Sequence, residues 1–209
     1  LTTAVREWQW IHENPCLKVR KPKASPGRTR YMSKEEIARL LEACKVSQNK
    51  HLHLIFLIAL STGARKSEIL GLRGKDVDLD NRIFLLNETK IGEARTLPIS
   101  DQVFEVLKSH TFEKDALLFP SPTNPNQPIC IRSAWEVAVS RAALQDMRFH
   151  DIRHTTASWL IMNGLSTREV AEILGHKSLQ TTARYSHLAN AHKRKLINRL
   201  EEIIYEKSQ

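Results

Sequence analysis

The sequence predicts an α+β protein that is mostly helical and contains one small three-stranded antiparallel sheet. Several segments begin with a capping box and continue with apolar residues at helical spacing, the first of them at Ser33-x-x-Glu36. Between residues 77 and 99 the apolar residues instead form short runs, separated by turn-forming residues at 80–81 and at 90–92. Runs of this kind, with two turns between them, are typical of a small antiparallel sheet.

Composition and charge favour a protein that binds a polyanion. The chain has 209 residues, of which 41% are hydrophobic, and this is enough for one core with a short appendage. Its formal net charge of +9 favours nucleic acid over a membrane surface as the partner. The alternative interpretation is a basic protein whose charge serves solubility alone.

Membrane insertion and export are not expected from the sequence. The longest apolar run, residues 52–60, falls short of the roughly 20 residues that a spanning helix needs. The N-terminal residues lack the basic and then apolar pattern of a signal peptide. Cys16, Cys44 and Cys130 are odd in number, widely spaced and in no metal-binding pattern. We therefore expect reduced thiols and a cytoplasmic protein.

Residues 1–30 are predicted to be the end of a preceding domain followed by a basic linker. Residues 4–12 have a helical pattern with two tryptophans, and Asn14-Pro15 ends it before a core can form. Residues 18–30 are rich in Lys, Arg, Pro and Gly, which is typical of an extended strap that could follow a phosphate backbone. The candidate DNA-binding residues of this linker are Lys18, Arg20, Lys21, Lys23, Arg28 and Arg30.

The compact domain is predicted to begin at residue 31. Residues 51–60 are apolar on nearly all sides, which predicts a central buried helix that ends at residues 61–63. A new helix is expected over residues 64–72. Within it Glu68 follows Arg65 by one helical turn, so its carboxylate could orient the guanidinium. An ordinary surface ion pair is the alternative.

Further helices are predicted downstream. One begins at Asp101 as its cap, and another begins at a capping box, Ser133-x-x-Glu136, after a proline-rich loop over residues 119–128. The last helix is expected over residues 189–205 and has an apolar stripe that needs a partner surface, in its own chain or in another. The stripe comprises Leu196, Ile197, Leu200, Ile203 and Ile204.

The stretch from His150 to Tyr185 concentrates the residues that are suited to chemistry. His150 and Arg153 stand three apart at a predicted helix start, so both side chains can reach one small ligand. Two glycine-terminated helices follow, and the second leaves His176 at a helix end, where it can face a cleft. Tyr185 lies near the far end of a short third helix that Ser178 caps, and its side chain is expected to be exposed.

These residue types favour chemistry on a phosphate. Arginine stays charged and offers a planar fork of donors that matches phosphate oxygens. The phenol of Tyr185 is the only plausible nucleophile in the stretch. Lys90, at the second predicted turn of the sheet, could swing a cationic side chain over a ligand. Each residue alone also has a structural interpretation as a cap, a packing residue or a solubilising turn lysine.

Five motifs in this order resemble those of the tyrosine recombinases, in particular the phage-type integrases. They are TGARKSEILGL at residues 62–72, Lys90 followed by RTLPI at 95–99, HDIRHT at 150–155, LGH at 174–176, and Tyr185. The resemblance covers about residues 30–188. It implies a mostly helical catalytic domain over residues 31–188, with 189–209 as its C-terminal tail helix and 1–30 as the end of a missing core-binding domain plus linker.

The resemblance also implies an active site and a reaction. The implied catalytic residues are Arg65, Lys90, His150, Arg153, His176 and the nucleophile Tyr185, with Glu68 in support. The phenol would cleave a DNA strand through a 3′-phosphotyrosine intermediate, and the arginines would stabilise the developing charge. No metal, ATP or other cofactor is expected, because the protein supplies the cations and one phosphodiester is exchanged for another. The expected enzyme is a DNA strand transferase that integrates or excises a phage or mobile element.

The expected partners follow from this reaction. They are double-stranded DNA, further copies of the chain in a tetrameric synapse on DNA, and accessory DNA-bending or directionality proteins. A membrane partner is not expected, and the protein would act in the cytoplasm in association with the nucleoid.

Three other functions stay open at this point. A type IB topoisomerase uses a similar set of residues but relaxes DNA without exchanging strands. A helix-turn-helix module over residues 167–186 would leave Arg65, Lys90, His150 and Tyr185 without a role. A metal phosphohydrolase built on His150, Asp151 and His154 would need further ligands, and none stands at a suitable spacing.

Overall fold

The structure is a computed structural model that describes residues 1–20, 28, 30–86, 95–176 and 178–206. Its helices in chain order are α1 (Thr2–Arg6), α2 (Lys34–Lys45), α3 (Leu52–Thr62), α4 (Lys66–Leu70), α5 (Asp101–Leu107), α6 (Arg132–Arg141), α7 (Asp151–Met162), α8 (Thr167–Leu174), α9 (Leu179–Ala183) and α10 (Asn190–Glu206). Short 3₁₀ turns occupy Pro15–Lys18, Gly74–Asp76 and Ser186–Ala189. Within the described ranges, no helix is both long and apolar enough to cross a membrane.

A small sheet confirms the predicted α+β class. Its strands are β1 (Val77–Asp78), β2 (Ile83–Leu86) and β3 (Arg95–Pro98). They pair antiparallel in that order, so β2 is the central strand. Phe84 of β2 lies opposite Leu97 of β3, and both side chains are buried on the face that packs on the helices. The turn that contains Lys90 lies outside the described residues.

Helix α3 is the centre of the main core, as its apolar sequence predicts. Ile55, Phe56 and Ile58 point to different sides of the helix, and all three are fully buried. Neighbouring helices α2, α4, α5 and α7 pack around it. A helix without a polar face is stable only when such neighbours cover it on every side. The carboxyl end of α3 therefore lies inside the domain, where it can position other residues.

Some predicted helix ends differ from the observed ones. The helix expected over residues 4–12 covers only Thr2–Arg6, because it has no side-chain cap and the chain turns away at Gln9, which has a positive φ of 54°. Ser100 rather than Asp101 occupies the N-cap of α5, and α6 begins at Arg132 with Ser133 inside it. By contrast, the capping boxes at Ser33 and Ser166 have both of their hydrogen bonds.

A second apolar cluster joins the last helices of the domain to Tyr185. Its buried members are Ala157, Ile161, Val170, Leu174 and Tyr185. Gly63, which ends α3 with a φ of 62°, touches this cluster so closely that a Cβ atom there would lie 2.3 Å from Leu174 Cδ2. The end of α3 and the end of α8 are thus held together, and the side chains that follow each of them lie close in space.

The apolar stripe of α10 is exposed. Its five members, from Leu196 to Ile204, have exposed fractions of 52–58%. The start of the helix is anchored, since a Cβ atom on Gly164 would lie 2.5 Å from the His192 ring. The sequence left open whether the stripe packs on its own chain or on another. Here it does not pack on its own domain.

Candidate active site

Arg65 stands at the N-terminus of α4 and is held by Glu68. The guanidinium donates to Glu68 Oε1 over 2.7 Å, and the backbone amide of Arg65 donates to Oε2 over 2.8 Å. Arg95 of β3 donates to the same Oε2 over 2.7 Å. Burial raises the pKa of Glu68, but the amide and guanidinium of Arg65 and the charge of Arg95 outweigh it and hold the pKa below its usual range. The carboxylate is therefore charged and fixes two guanidiniums.

Arg153 lies one turn into α7 and is almost completely buried, with 5% of the residue exposed. Its Nη1 donates to the carbonyl oxygen of Gly63 over 2.7 Å. Its Nη2 is buried and has no hydrogen-bond partner among the described residues. Burial and the charges of Arg65 and Arg95 lower the pKa of Arg153 to about 10, so the group remains a cation at neutral pH. A buried cationic donor without a partner is suited to receive an anionic oxygen.

His176 follows Gly175, which ends α8 in the left-handed conformation with a φ of 66°. A Cβ atom on Gly175 would lie 2.2 Å from Arg95 Nη1, so a larger residue would displace that guanidinium. The His176 Nδ1 lies 2.7 Å from the hydroxyl of the buried Thr182. Burial, together with the charges of Arg153 and Arg65, lowers the pKa of His176 to about 4. A neutral ring that accepts from Thr182 at Nδ1 carries its proton on Nε2, where it can donate to a ligand.

Tyr185 lies just after α9, and its burial corrects the expectation of an exposed side chain. Only 5% of the residue is exposed, because the ring packs in the second apolar cluster. Its hydroxyl shares a hydrogen bond with Nδ1 of His154. Burial raises the pKa of the phenol, while the charges of Arg184 and Arg153 oppose that shift. The phenol is therefore protonated at neutral pH and needs a proton acceptor before it can attack.

His150 is the N-cap residue of α7, and the ring of His154 separates it from the phenol. Its ring packs edge-on against the ring of His154, with the centroids 5.2 Å apart. Burial and then the charge of Arg153 lower the pKa of His150, so its ring is neutral at neutral pH. Among the described hydrogen bonds, the Tyr185 hydroxyl meets His154 and not His150.

The predicted site residues fall into two groups. Arg65, His150, Arg153, His176 and Tyr185 lie together, since Arg65 Nη2 is 3.5 Å from the Gly175 carbonyl oxygen and the charge of Arg153 lowers the pKa of His150, His176 and Tyr185. Lys90 lies outside the described residues, as do Lys21 and Lys23 of the linker, so their places in the site stay predictions.

The described linker residues are engaged within the chain or exposed. Arg28 donates to Asp146 over 2.7 Å and to the buried Asp151 over 2.9 Å. Arg30 pairs with Glu36 and Lys18 with Glu13, while Arg20 is exposed. The interaction of Arg28 with Asp151 ties the end of the linker to the start of α7. Phosphate binding by Lys18, Arg20, Arg28 and Arg30 stays a prediction.

Sequence reasoning assigned no role to Arg95 and considered His154 only as a metal ligand in the phosphohydrolase alternative, although both lie in quoted motifs. A signal for His154 was available, because it follows His150 by four residues and so lies on the same helix face. Arg95 lies two residues before the buried Leu97 on β3, so the two side chains point to the same face of the sheet. A cation on the inner face of a strand indicates a buried partner, which here is Glu68.

The described residues contain no group of three or more His, Cys, Asp or Glu side chains placed to hold a metal ion.

Comparison with known proteins finds that this chain is similar to integrases and DNA recombinases. The profile of the phage integrase family matches residues 30–192. The shufflon-specific DNA recombinase of Escherichia coli is 34% identical over 87% of this chain and 46% of its own length. The integrase of Salmonella phage P22 is 32% identical over 92% of this chain and 52% of its own length. The chain thus spans about half the length of these curated relatives.

A solved structure extends the similarity to the fold. The catalytic domain of bacteriophage HP1 integrase superposes with a TM-score of 0.63 at 32% identity. The match covers 80% of this chain and 93% of that domain.

Proposed function

This chain belongs to the phage integrase family of tyrosine recombinases, and on that premise we propose that it is the catalytic part of a site-specific DNA recombinase. The observation that supports this function best is a buried guanidinium, Arg153, which has one donor without a partner among the described residues and whose charge lowers the pKa of the equally buried phenol of Tyr185. In the proposed reaction the Tyr185 oxygen attacks a DNA phosphate and forms a 3′-phosphotyrosine. The released 5′ hydroxyl, or one from another duplex, then reverses the step and rejoins the strand.

The arginines are proposed to stabilise the negative charge that builds up on the non-bridging oxygens during attack. Arg65 is held by Glu68 over 2.7 Å, and Arg153 is held by the Gly63 carbonyl over 2.7 Å, so both guanidiniums are preorganised. Preorganised donors need no rearrangement when the charge appears, and for this reason they stabilise a transition state more than mobile ones do. The Nε2 proton of His176 would be a further donor.

Two proton movements complete the proposal. The leaving 5′ oxygen needs a proton, and Lys90 is the proposed acid, as the family resemblance implies. The attacking phenol must lose one, and His150 is proposed to assist, which its contact with the ring of His154 supports. We propose that metal and ATP take no part, because protein cations neutralise the charge and the bond energy is kept in the phosphotyrosine.

The proposed substrate is double-stranded DNA, which suits the net charge of +9. The name of the Escherichia coli relative states an action on DNA, which supports the same substrate class here. Integration or excision of a phage or mobile element is the proposed role, in the cytoplasm on nucleoid DNA and with accessory DNA-bending or directionality proteins.

Trapping on suicide substrates tests this function. Nicked duplexes of candidate attachment sites, which lose a short fragment after cleavage, should give a protein–DNA adduct that survives denaturation and forms in EDTA without ATP. Adduct formation together with relaxation of supercoiled DNA, but with no strand exchange, would indicate the topoisomerase alternative. Binding without any adduct would indicate the helix-turn-helix alternative, and activity that EDTA abolishes would indicate the metal phosphohydrolase.

We also propose that α10 packs on a neighbouring copy of the chain in a tetrameric synapse. Its stripe is more than half exposed, and an exposed apolar stripe of this size indicates a protein partner. Leu196→Asp plus Leu200→Asp should therefore impair synapsis, measured by gel mobility of paired sites, more than first-strand cleavage.

A control matched for charge separates the stripe from the helix itself. Arg194→Gln plus Asn198→Asp also lowers the net charge by two units, but on the opposite face of α10. It should leave synapsis nearly intact. Equal loss of cleavage and synapsis in the stripe variant would contradict the proposed contact between copies.

A further inference from the structure

We infer that His154 is the base that removes the phenol proton of Tyr185 when the tyrosine attacks the phosphate. This inference rests on the proposed function and adds a residue to it. The assignment of the base follows from a hydrogen bond: the phenol oxygen of Tyr185 contacts His154, and not His150 at the start of the helix.

The contact is built by two rigid elements. His154 lies one turn into α7 and is 9% exposed, so its ring has little freedom to move. The Tyr185 ring is fixed by the cluster that includes Ala157 of the same helix and Leu174 of α8. Neither side chain is a flexible surface group, and their hydrogen bond joins residues 31 apart in the chain. The tertiary fold therefore presents an imidazole nitrogen to the atom that must lose a proton.

The electrostatic surroundings suit a proton acceptor. Burial lowers the pKa of His154, repulsion from His150 in its protonated form and the charges of Arg184 and Arg153 lower it further, and Asp151 opposes them. The ring is thus neutral at neutral pH, and a neutral ring has a free lone pair for the phenol proton. Arg184 and Arg153 also lower the pKa of Tyr185 against the effect of burial, which favours the phenolate as it forms.

Each step of the proton transfer balances. The O–H bond of Tyr185 breaks and its proton moves to Nδ1 of His154, while the oxygen forms a bond to phosphorus. The bond from phosphorus to the 5′ oxygen breaks, and that oxygen takes its proton from the proposed acid, Lys90. In the rejoining step the 5′ oxygen forms a bond to phosphorus and gives its proton back to Lys90, the bond from phosphorus to the phenol oxygen breaks, and the imidazolium of His154 returns its proton to that oxygen. No oxidant, reductant or further reactant is needed.

His150 has a different part in this arrangement. Its ring packs on His154 at a centroid distance of 5.2 Å and lowers the pKa of that residue. It therefore acts on the phenol through His154, as a positioning residue.

The test uses a tyrosine of altered acidity. The chain has three tyrosines, and Tyr31 and Tyr205 are at least partly exposed, so replacing both with Phe leaves Tyr185 as the single tyrosine. This protein is produced with ordinary tyrosine or with a ring-fluorinated tyrosine, whose phenol is more acidic. His154→Asn is then introduced, because its side chain can accept a hydrogen bond near the Nδ1 position but cannot take up a proton. His154→Ala provides a second variant.

Cleavage of a suicide substrate is measured for each protein. With ordinary tyrosine, His154→Asn should slow cleavage by about 10²–10⁴, the usual contribution of a general base. With the fluorinated tyrosine the same substitution should cost at least tenfold less, because a more acidic phenol depends less on its base. A defect of equal size with both tyrosines would show that His154 does not act as the base, and near-normal cleavage by His154→Asn would show that a hydrogen bond to the phenol is enough. Both results overturn the inference.

Two controls separate the possible failures. His150→Asn is measured in the same way, and relief by fluorination in that variant instead of in His154→Asn would assign the base to His150. If the single-tyrosine protein and the wild type both form no adduct, the proposed function itself fails. If they form it and the histidine results do not match, only the inference fails. Thermal unfolding of each variant identifies any that does not fold.

Discussion

Tyr185→Phe is expected to abolish the covalent DNA complex while duplex affinity stays nearly unchanged. The substitution removes the attacking oxygen and keeps the ring that packs with Ala157 and Leu174. The lost hydrogen bond to His154 should reduce the free energy of unfolding by about 1 kcal/mol, since a typical hydrogen bond contributes that much. The measurement is adduct yield on a suicide substrate, together with binding in a gel-shift assay.

Tyr205→Phe is the matched control. Tyr205 lies on α10 with 70% of the residue exposed, so removing its hydroxyl should leave the adduct intact. An adduct that persists in Tyr185→Phe would assign the nucleophile to another residue. Loss of both adduct and DNA binding would show instead that the variant is misfolded.

The second large effect is expected from Lys90→Ala, which should slow cleavage by about 10²–10⁴ if the lysine is the general acid. The loss should depend on the leaving group. Sulfur in place of the bridging 5′ oxygen departs without a proton, so the variant should cleave that substrate nearly as fast as the wild type does. The measurement is the rate of cleavage of both substrates by both proteins.

Arg65→Ala and Arg153→Ala are the controls for this rescue. Both arginines are held in place, by Glu68 and by the Gly63 carbonyl, and are expected to act on non-bridging oxygens that sulfur does not change. Their defects should therefore show much less relief on the sulfur substrate. If Lys90→Ala is equally slow on both substrates, another residue donates the proton and Lys90 has a positioning or electrostatic role.

Local patterns in the sequence were enough for the fold class and for the family. Capping boxes at Ser33 and Ser166, the all-apolar helix α3 and the short strands around Phe84 depend on residues only a few positions apart. Such patterns can be recognised in the sequence because a helix or a hairpin brings together residues that are already close in the chain. The motifs that carry the family resemblance are short for the same reason.

Contacts between distant residues were decided by the tertiary structure alone. Glu68 serves Arg95 as well as Arg65, and Arg95 is 27 residues away in another element. Tyr185 was expected to be exposed, yet it is buried against His154, 31 residues earlier. Neither spacing corresponds to a helical or strand period, so no local pattern reports it.

The sequence by itself thus determined which residues are suited to attack a phosphate, and the packing of α3, α7 and α8 decided which of them meet. Arg153 reaches the Gly63 carbonyl across 90 positions because α3 and α7 pack side by side. The helical period of the sequence predicted the apolar stripe of α10, but it could not predict that the stripe is exposed. Whether an apolar face is covered depends on which surfaces the rest of the fold leaves free, and that is a property of the packed chain.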